Sequence, residues 1–227
     1  MPENTRVTRN LFERDVRREP NGSVRRPGLR PQDSPEETTI APIVVPELSD
    51  EDLVLRGPAP ADVEAITRIC RDPDVQRWTR VPAPYTTDDA RRFVLMSIGA
   101  LAEGTGAHLL AVSADDHREV LGCVGLSIDG ADRSAELGYW VAPEARGRGV
   151  ATRSGRLLLG HAFAHLGVGA VRLQAAVTNP ASNQVARALG FRPVGLLRRS
   201  MIDGPSGDPT APRCDARLYD LVPGELT

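Results

Sequence analysis

The residues that could do chemistry in this chain concentrate between Ser134 and Arg156, SAELGYWVAPEARGRGVATRSGR. An acid, Glu136, and a phenol, Tyr139, stand in a segment whose aromatic and large aliphatic residues predict a strand over Ala135–Val141. Pro143 and Glu144 end it. The run Arg146-Gly147-Arg148-Gly149-Val150-Ala151-Thr152 follows, and then helical spacing at Val150, Ser154, Leu157, Leu158, Ala162 and Leu166. A strand that passes through glycines into a helix N-terminus suits a phosphate. The first helical N–H groups have no intrahelical acceptor, and the aligned peptide dipoles place about half a positive charge there. Gly147 and Gly149 let a pyrophosphate approach the backbone, and Arg146, Arg148, Arg153 and Arg156 put guanidinium groups around the same turn.

Two familiar phosphate loops fail on specific residues. The chain has no lysine, so it has no Gly-x4-Gly-Lys-Ser/Thr loop. A dinucleotide fingerprint needs a third glycine where Thr152 stands, and the strand expected near Val171–Val177 ends without an acid for a ribose.

The elements that must position this stretch are read on either side of it. Residues 1–45 hold eight arginines against seven acids, with several prolines and few apolar residues, and are expected to be a disordered extension, with a short helix at Leu11–Arg18. A single domain is expected over residues 46–227. Its order is a strand at Leu53–Arg56, a helix carrying Val63, Ile66, Ile69 and Cys70, and a helix capped at Thr86 and stopped at Gly104. Strands follow at His108–Ser113 and Val120–Ile128, then the central strand and helix. Ala170–Val177 is a strand, Asn179-Pro180 opens a helix closed by Gly190, and Phe191–Met201 and Cys214–Leu221 are the last strands.

Composition narrows the function. With 41% hydrophobic and 26% charged residues and a net charge of −2, neither nucleic acid nor an anionic membrane is expected as a partner. No apolar run nears the roughly 20 residues of a membrane span, and the N-terminus lacks an apolar signal core, so a cytoplasmic location is expected. Cys70, Cys123 and Cys214 fit no ligand motif, and His161 and His165 lack a third ligand, so no metal is expected.

The glycine loop resembles the acetyl-CoA signature of the GNAT superfamily of N-acetyltransferases, Gln/Arg-x-x-Gly-x-Gly/Ala after a strand, which Arg146 to Ala151 fits. Downstream, Asn179-Pro-Ala-Ser182-Asn183-Gln-Val185 through Gly190-Phe191 resembles the superfamily's Asn-x-x-Ser-x-x-Val-x-x-x-x-Gly-Phe motif. Leu53-x-Leu-Arg56, Asp72-Pro-Asp-Val75-x-x-Trp78 and Glu136-Leu-Gly-Tyr139-Trp140-Val141 look like the branch that acetylates ribosomal-protein N-termini. The resemblance spans residues 52–222. It implies a mixed α/β (α+β) GNAT fold: a mostly antiparallel sheet of about seven strands with splayed central strands, flanked by about four helices. It implies acetyl-CoA as cosubstrate, held by Val141, Arg146, Gly147, Arg148, Gly149, Val150, Ala151 and Thr152, with Asn179 and Ser182 near its pantetheine arm and thiol.

The chemistry of such a site follows from general needs. An amine attacks only when neutral, so a base must take its proton, often through water. Glu136 is the candidate; the alternative is a strand carboxylate paired with an arginine across the sheet. Backbone N–H groups at the strand splay after Tyr139–Val141 could hold the oxyanion. Many relatives supply a tyrosine acid four residues before the Gly-Phe phenylalanine, but Arg187 stands there. Ser182 is the substitute expected, with Tyr139 second. The acceptor would be a protein N-terminal α-amine or a small-molecule amine, attacking directly in a ternary complex, by a monomer or homodimer. The alternative function is a non-catalytic CoA-binding regulatory module of the same fold.

Overall fold

Segments rich in Val, Leu and Ala build one eight-stranded sheet, seen in a computed structural model that describes residues 42–227. The strands are β1 (Leu48–Asp50), β2 (Leu53–Arg56), β3 (Gly106–Ser113), β4 (Val120–Asp129), β5 (Ser134–Val141), β6 (Ala170–Ala176), β7 (Arg192–Ile202) and β8 (Arg213–Leu221). Five α-helices interleave with them: α1 (Val63–Cys70), α2 (Pro73–Trp78), α3 (Thr87–Glu103), α4 (Val150–His165) and α5 (Pro180–Ala188). The spatial order is β1-β2-β3-β4-β5-β6-β8-β7, antiparallel throughout except for the parallel pair β5–β6. This is the mixed fold that the sequence implies, with one strand and one helix more.

The two additions have local causes. Strand β1 is only Leu-Ser-Asp, too short to show a period; pairing with β2 and an ion pair from Arg153 to Asp50 hold it. Asp72-Pro73, just past the end of α1, starts α2: the Asp72 carboxylate caps the Asp74 and Val75 N–H groups at 3.1 and 3.0 Å. The cap expected at Thr86 is a reciprocal box with Asp89, and Gly104 ends α3 at φ 71°. The extension and short helix expected before residue 46 lie outside the described residues apart from 42–45, where the Ile43 N–H donates to the Leu101 carbonyl at 2.8 Å.

Residues Val120–Leu126 of β4 are all buried, the burial of a strand covered on both faces. One face meets α3, whose Phe93 ring stands edge-on to His108 of β3. The other meets α4, where a Cβ on Gly122 would lie 3.4 Å from Val150. Register then sorts β5. Glu136, Gly138 and Trp140 share the α3 face with Ser127, Gly125 and Cys123, whereas Leu137, Tyr139 and Val141 share the α4 face. Gly190 closes α5 at φ 88°, and a Cβ there would also lie 2.1 Å from the Glu225 carbonyl, so its backbone and its neighbours both require glycine.

Candidate active site

The parallel pairing of β5 with β6 stops almost as soon as it starts. Ser134, Ala135 and Glu136 face Ala170, Val171 and Arg172, and no register continues beyond them. The strands part at Glu136, so the backbone of β5 on that side is left without a ladder. The Ala142 N–H donates to Leu121 of β4, so by alternation the N–H groups of Leu137, Tyr139 and Val141 face the β6 side; that of Leu137 belongs to the last rung, opposite Arg172, and those of Tyr139 and Val141 point into the gap. Those unpaired N–H groups can bind a carbonyl or the oxyanion formed from it.

Glu136 is exposed at the mouth of this gap. Arg172 is its register partner on β6, yet among the described residues Glu136 is in no ion pair. The pairing with a cross-sheet arginine that would make this carboxylate structural is not formed. Glu136 lines a cleft of about 1260 Å³ that runs from the glycine loop, past the β5–β6 gap, to Trp78 and Phe93.

The glycine loop is shaped as a phosphate cradle. Gly147 and Gly149 take φ of 75° and 72°, the left-handed region that favours glycine. Gly149 caps α4 with no side-chain bond, and the first turn holds no acid, so its N–H groups at Val150, Ala151 and Thr152 are open to an anion. The arginines divide differently from the sequence expectation. Arg146 forks onto Asp72 and Asp74, strapping the loop to α2. Arg153 holds Asp50 and Asp52, and Arg156 donates to the Thr227 carbonyl oxygen. Arg148 alone of the four has no ion-pair or hydrogen-bond partner among the described residues, and it is exposed at the loop.

On the opposite face from Glu136, Tyr139 Oη lies 2.8 Å from Ser182 Oγ in the first turn of α5. Burial pushes the Tyr139 phenol up to about 12, so it stays protonated at neutral pH. Asn179 lines the cleft, but its Oδ1 is the cap of α5, accepting the Ser182 N–H at 3.1 Å.

A carboxylate on one face of a strand gap, a hydroxyl pair on the other and an anion cradle at its end suit transfer from a phosphate-bearing donor. Comparison with known proteins gives the family. The acetyltransferase (GNAT) domain matches residues 52–192. The chain belongs to the GNAT acetyltransferase family. It is 39% identical over 72 residues to the putative ribosomal N-acetyltransferase YdaF of Bacillus subtilis, a match covering 32% of this chain and 39% of that protein. The uncharacterized N-acetyltransferase YoaA of the same organism is 25% identical over 78% of this chain and 97% of its own. A solved structure of RimL, a ribosomal L7/L12 alpha-N-protein acetyltransferase in complex with coenzyme A, superposes with a TM-score of 0.70 at 20% identity, over 78% of this chain and 98% of that one.

Within this GNAT site, three sets of residues escape a reading of the sequence. Asp72 and Asp74 orient the loop through Arg146, from more than seventy residues upstream. Asn183 donates to the carbonyls of Ala176 and Asn179 and accepts from Tyr219 Oη at 2.8 Å, which fixes the turn that presents Ser182. His108 lines the cleft beside Gly125. Arg187, at the position of the absent tyrosine acid, is exposed and does not line the cleft.

Proposed function

We propose that this chain transfers the acetyl group of acetyl-CoA to a primary amine, a protein N-terminal α-amine or a small-molecule amine, by direct attack in a ternary complex. The pyrophosphate lies on the N–H groups of Val150, Ala151 and Thr152, with Gly147 and Gly149 giving it room and Arg148 adding charge. The pantetheine arm runs along the open edge of β5, where Val141 bonds it in the manner of a missing strand. The thioester then sits in the gap, its carbonyl oxygen towards the β5 N–H groups. The amine enters from the α3 face. Glu136 takes its proton, directly or through water, as nitrogen attacks the carbonyl carbon; the C–S bond breaks, and Ser182, backed by Tyr139, hydrogen-bonds the departing thiolate. The family and the names of RimL and YdaF support a peptide N-terminus as the acceptor to try first.

The observation that carries this reading is the unpaired Glu136 carboxylate at the point where β5 and β6 part, with the Ser182–Tyr139 pair across the sheet. Its test is CoA release from acetyl-CoA with a panel of N-terminal peptides and small amines. Release with at least one amine supports the reading. Saturable acetyl-CoA binding with no release from any amine would favour the regulatory, non-catalytic alternative. The reading includes a cytoplasmic site of action; among the described residues no helix is long and apolar enough to cross a membrane.

A further inference from the structure

His108 of β3 is in register with Gly125 of β4, and Gly125 with Gly138 of β5, so the three share one row on the α3 face. A Cβ on Gly125 would lie 2.5 Å from His108 Cδ2 and 3.4 Å from Nε2, so the imidazole lies across that glycine. A Cβ on Gly138 would meet nothing within 4 Å. The row therefore ends in open space beside the ring, flanked along β5 by Glu136 and Trp140, and all these residues line the cleft. Of the many residues around the cleft, His108 carries a polar atom left in an anomalous state. Its Nδ1 is shut off from solvent with no hydrogen-bond partner among the described residues.

That orphaned nitrogen fixes the ring's chemistry. Burial lowers the pKa of His108 below its ordinary value, so the ring is neutral at pH 7. A neutral imidazole has one N–H. An orphaned buried N–H is rarer than an under-satisfied buried acceptor, so the proton resides on Nε2 and the bare nitrogen takes the closed position. The ring thus offers the cleft a donor, where Glu136 offers an acceptor. A plain alkylamine can use only the second. An acceptor with a carbonyl on the carbon next to the amine can use both.

We propose that His108 selects α-amino-acyl acceptors, peptide N-termini and amino-acid amides, by donating from Nε2 to the carbonyl oxygen beside the amine that Glu136 deprotonates. This rests on the acyl-transfer reading above. His108 is on this account a binding residue for the acceptor and takes no part in breaking the thioester.

The test is the ratio of kcat/KM for alaninamide to that for isopropylamine, in the full chain and in His108→Phe and His108→Gln. Comparing one ratio between variants cancels the different basicity of the two amines. The ratio falls about tenfold in His108→Phe, the loss expected for one uncharged hydrogen bond, and recovers in part in His108→Gln, whose amide can donate. A melting temperature that still rises with CoA shows that each variant is folded. In wild-type protein saturated with CoA, alaninamide shifts the 15N signal of the His108 imidazole, a readout available even if both variants fail to fold. An unchanged ratio in His108→Phe, or an imidazole signal that stays put while the Trp140 indole responds, overturns the inference and leaves acyl transfer standing. Absence of CoA release by the wild type with every amine overturns both.

Discussion

Tyr139 Oη and Ser182 Oγ, 2.8 Å apart, join the centre of β5 to the first turn of α5 and put a two-hydroxyl relay on the face opposite Glu136. The position where many relatives keep a tyrosine holds Arg187, on the exposed side of α5. The two substitutes weighed from the sequence are thus one hydrogen-bonded unit. Ser182→Ala and Tyr139→Phe are each expected to lower kcat about tenfold or less, since a thiolate with a pKa near that of a free thiol is already a tolerable leaving group. The double variant should cost little more than the worse single one, because both act through one bond. Fully multiplicative losses would show that the hydroxyls act separately.

Gly149→Asp is expected to abolish acetyl-CoA binding. The new side chain takes a left-handed φ of 72° and sets a carboxylate against the open N–H groups of α4. Wild-type protein should melt at higher temperature as CoA is added, and the variant should not. An equal rise in both would put the pyrophosphate elsewhere.

Tyr219→Phe tests the support beneath Ser182. The lost hydroxyl leaves Asn183 Oδ1 buried without its 2.8 Å donor, a cost of about 1–3 kcal/mol in urea unfolding. Because Asn183 also ties α5 to Ala176 and Asn179, kcat should fall as well, although Tyr219 itself does not line the cleft. A variant as stable as wild type would deny Asn183 this role.

Arg56 and Asp62 give a pH signature. Burial pushes the Asp62 carboxyl up, but the Arg56 fork, at 2.8 Å to each oxygen, and the Ala59 N–H outweigh it and hold the pKa below the ordinary value. A carboxyl with a lowered folded pKa adds stability above its unfolded pKa of about 3.9, and the gain is lost as pH falls through the folded value. Arg56→Ala should therefore cost up to about 3 kcal/mol at pH 7, with a penalty that shrinks as falling pH protonates Asp62. A penalty that stays constant down to pH 3 would show that packing of the Arg56 stem, not its charge, matters.

Much of this fold and site is legible in the sequence, for identifiable reasons. Gly147 and Gly149 are legible because a left-handed backbone leaves few alternatives to glycine, and Ser182 because it sits in a helix-opening motif. Strand β4 and helix α3 show as unbroken or capped runs. What stays hidden depends on partners far along the chain. Arg146 reads as a phosphate ligand until Asp72 and Asp74 are seen to hold it, and Arg153 until Asp50 and Asp52 are. The family resemblance implies splayed central strands, but the point where β5 and β6 part, at Glu136, has no local signature, since β5 reads as an ordinary strand throughout. His108 looks like any strand residue until two glycines on two other strands are found beside it.

In the proposed reaction Glu136, at the parting of β5 and β6, takes the proton of the attacking amine. The most direct measurement is kcat of Glu136→Gln with an accepted amine, alongside acetyl-CoA affinity. The substitution keeps the shape and removes the basic group, so kcat should fall by about 10²–10⁴-fold while the affinity is nearly unchanged. Near-wild-type turnover in Glu136→Gln would contradict the account, and would leave the neutral fraction of the amine itself to supply the nucleophile.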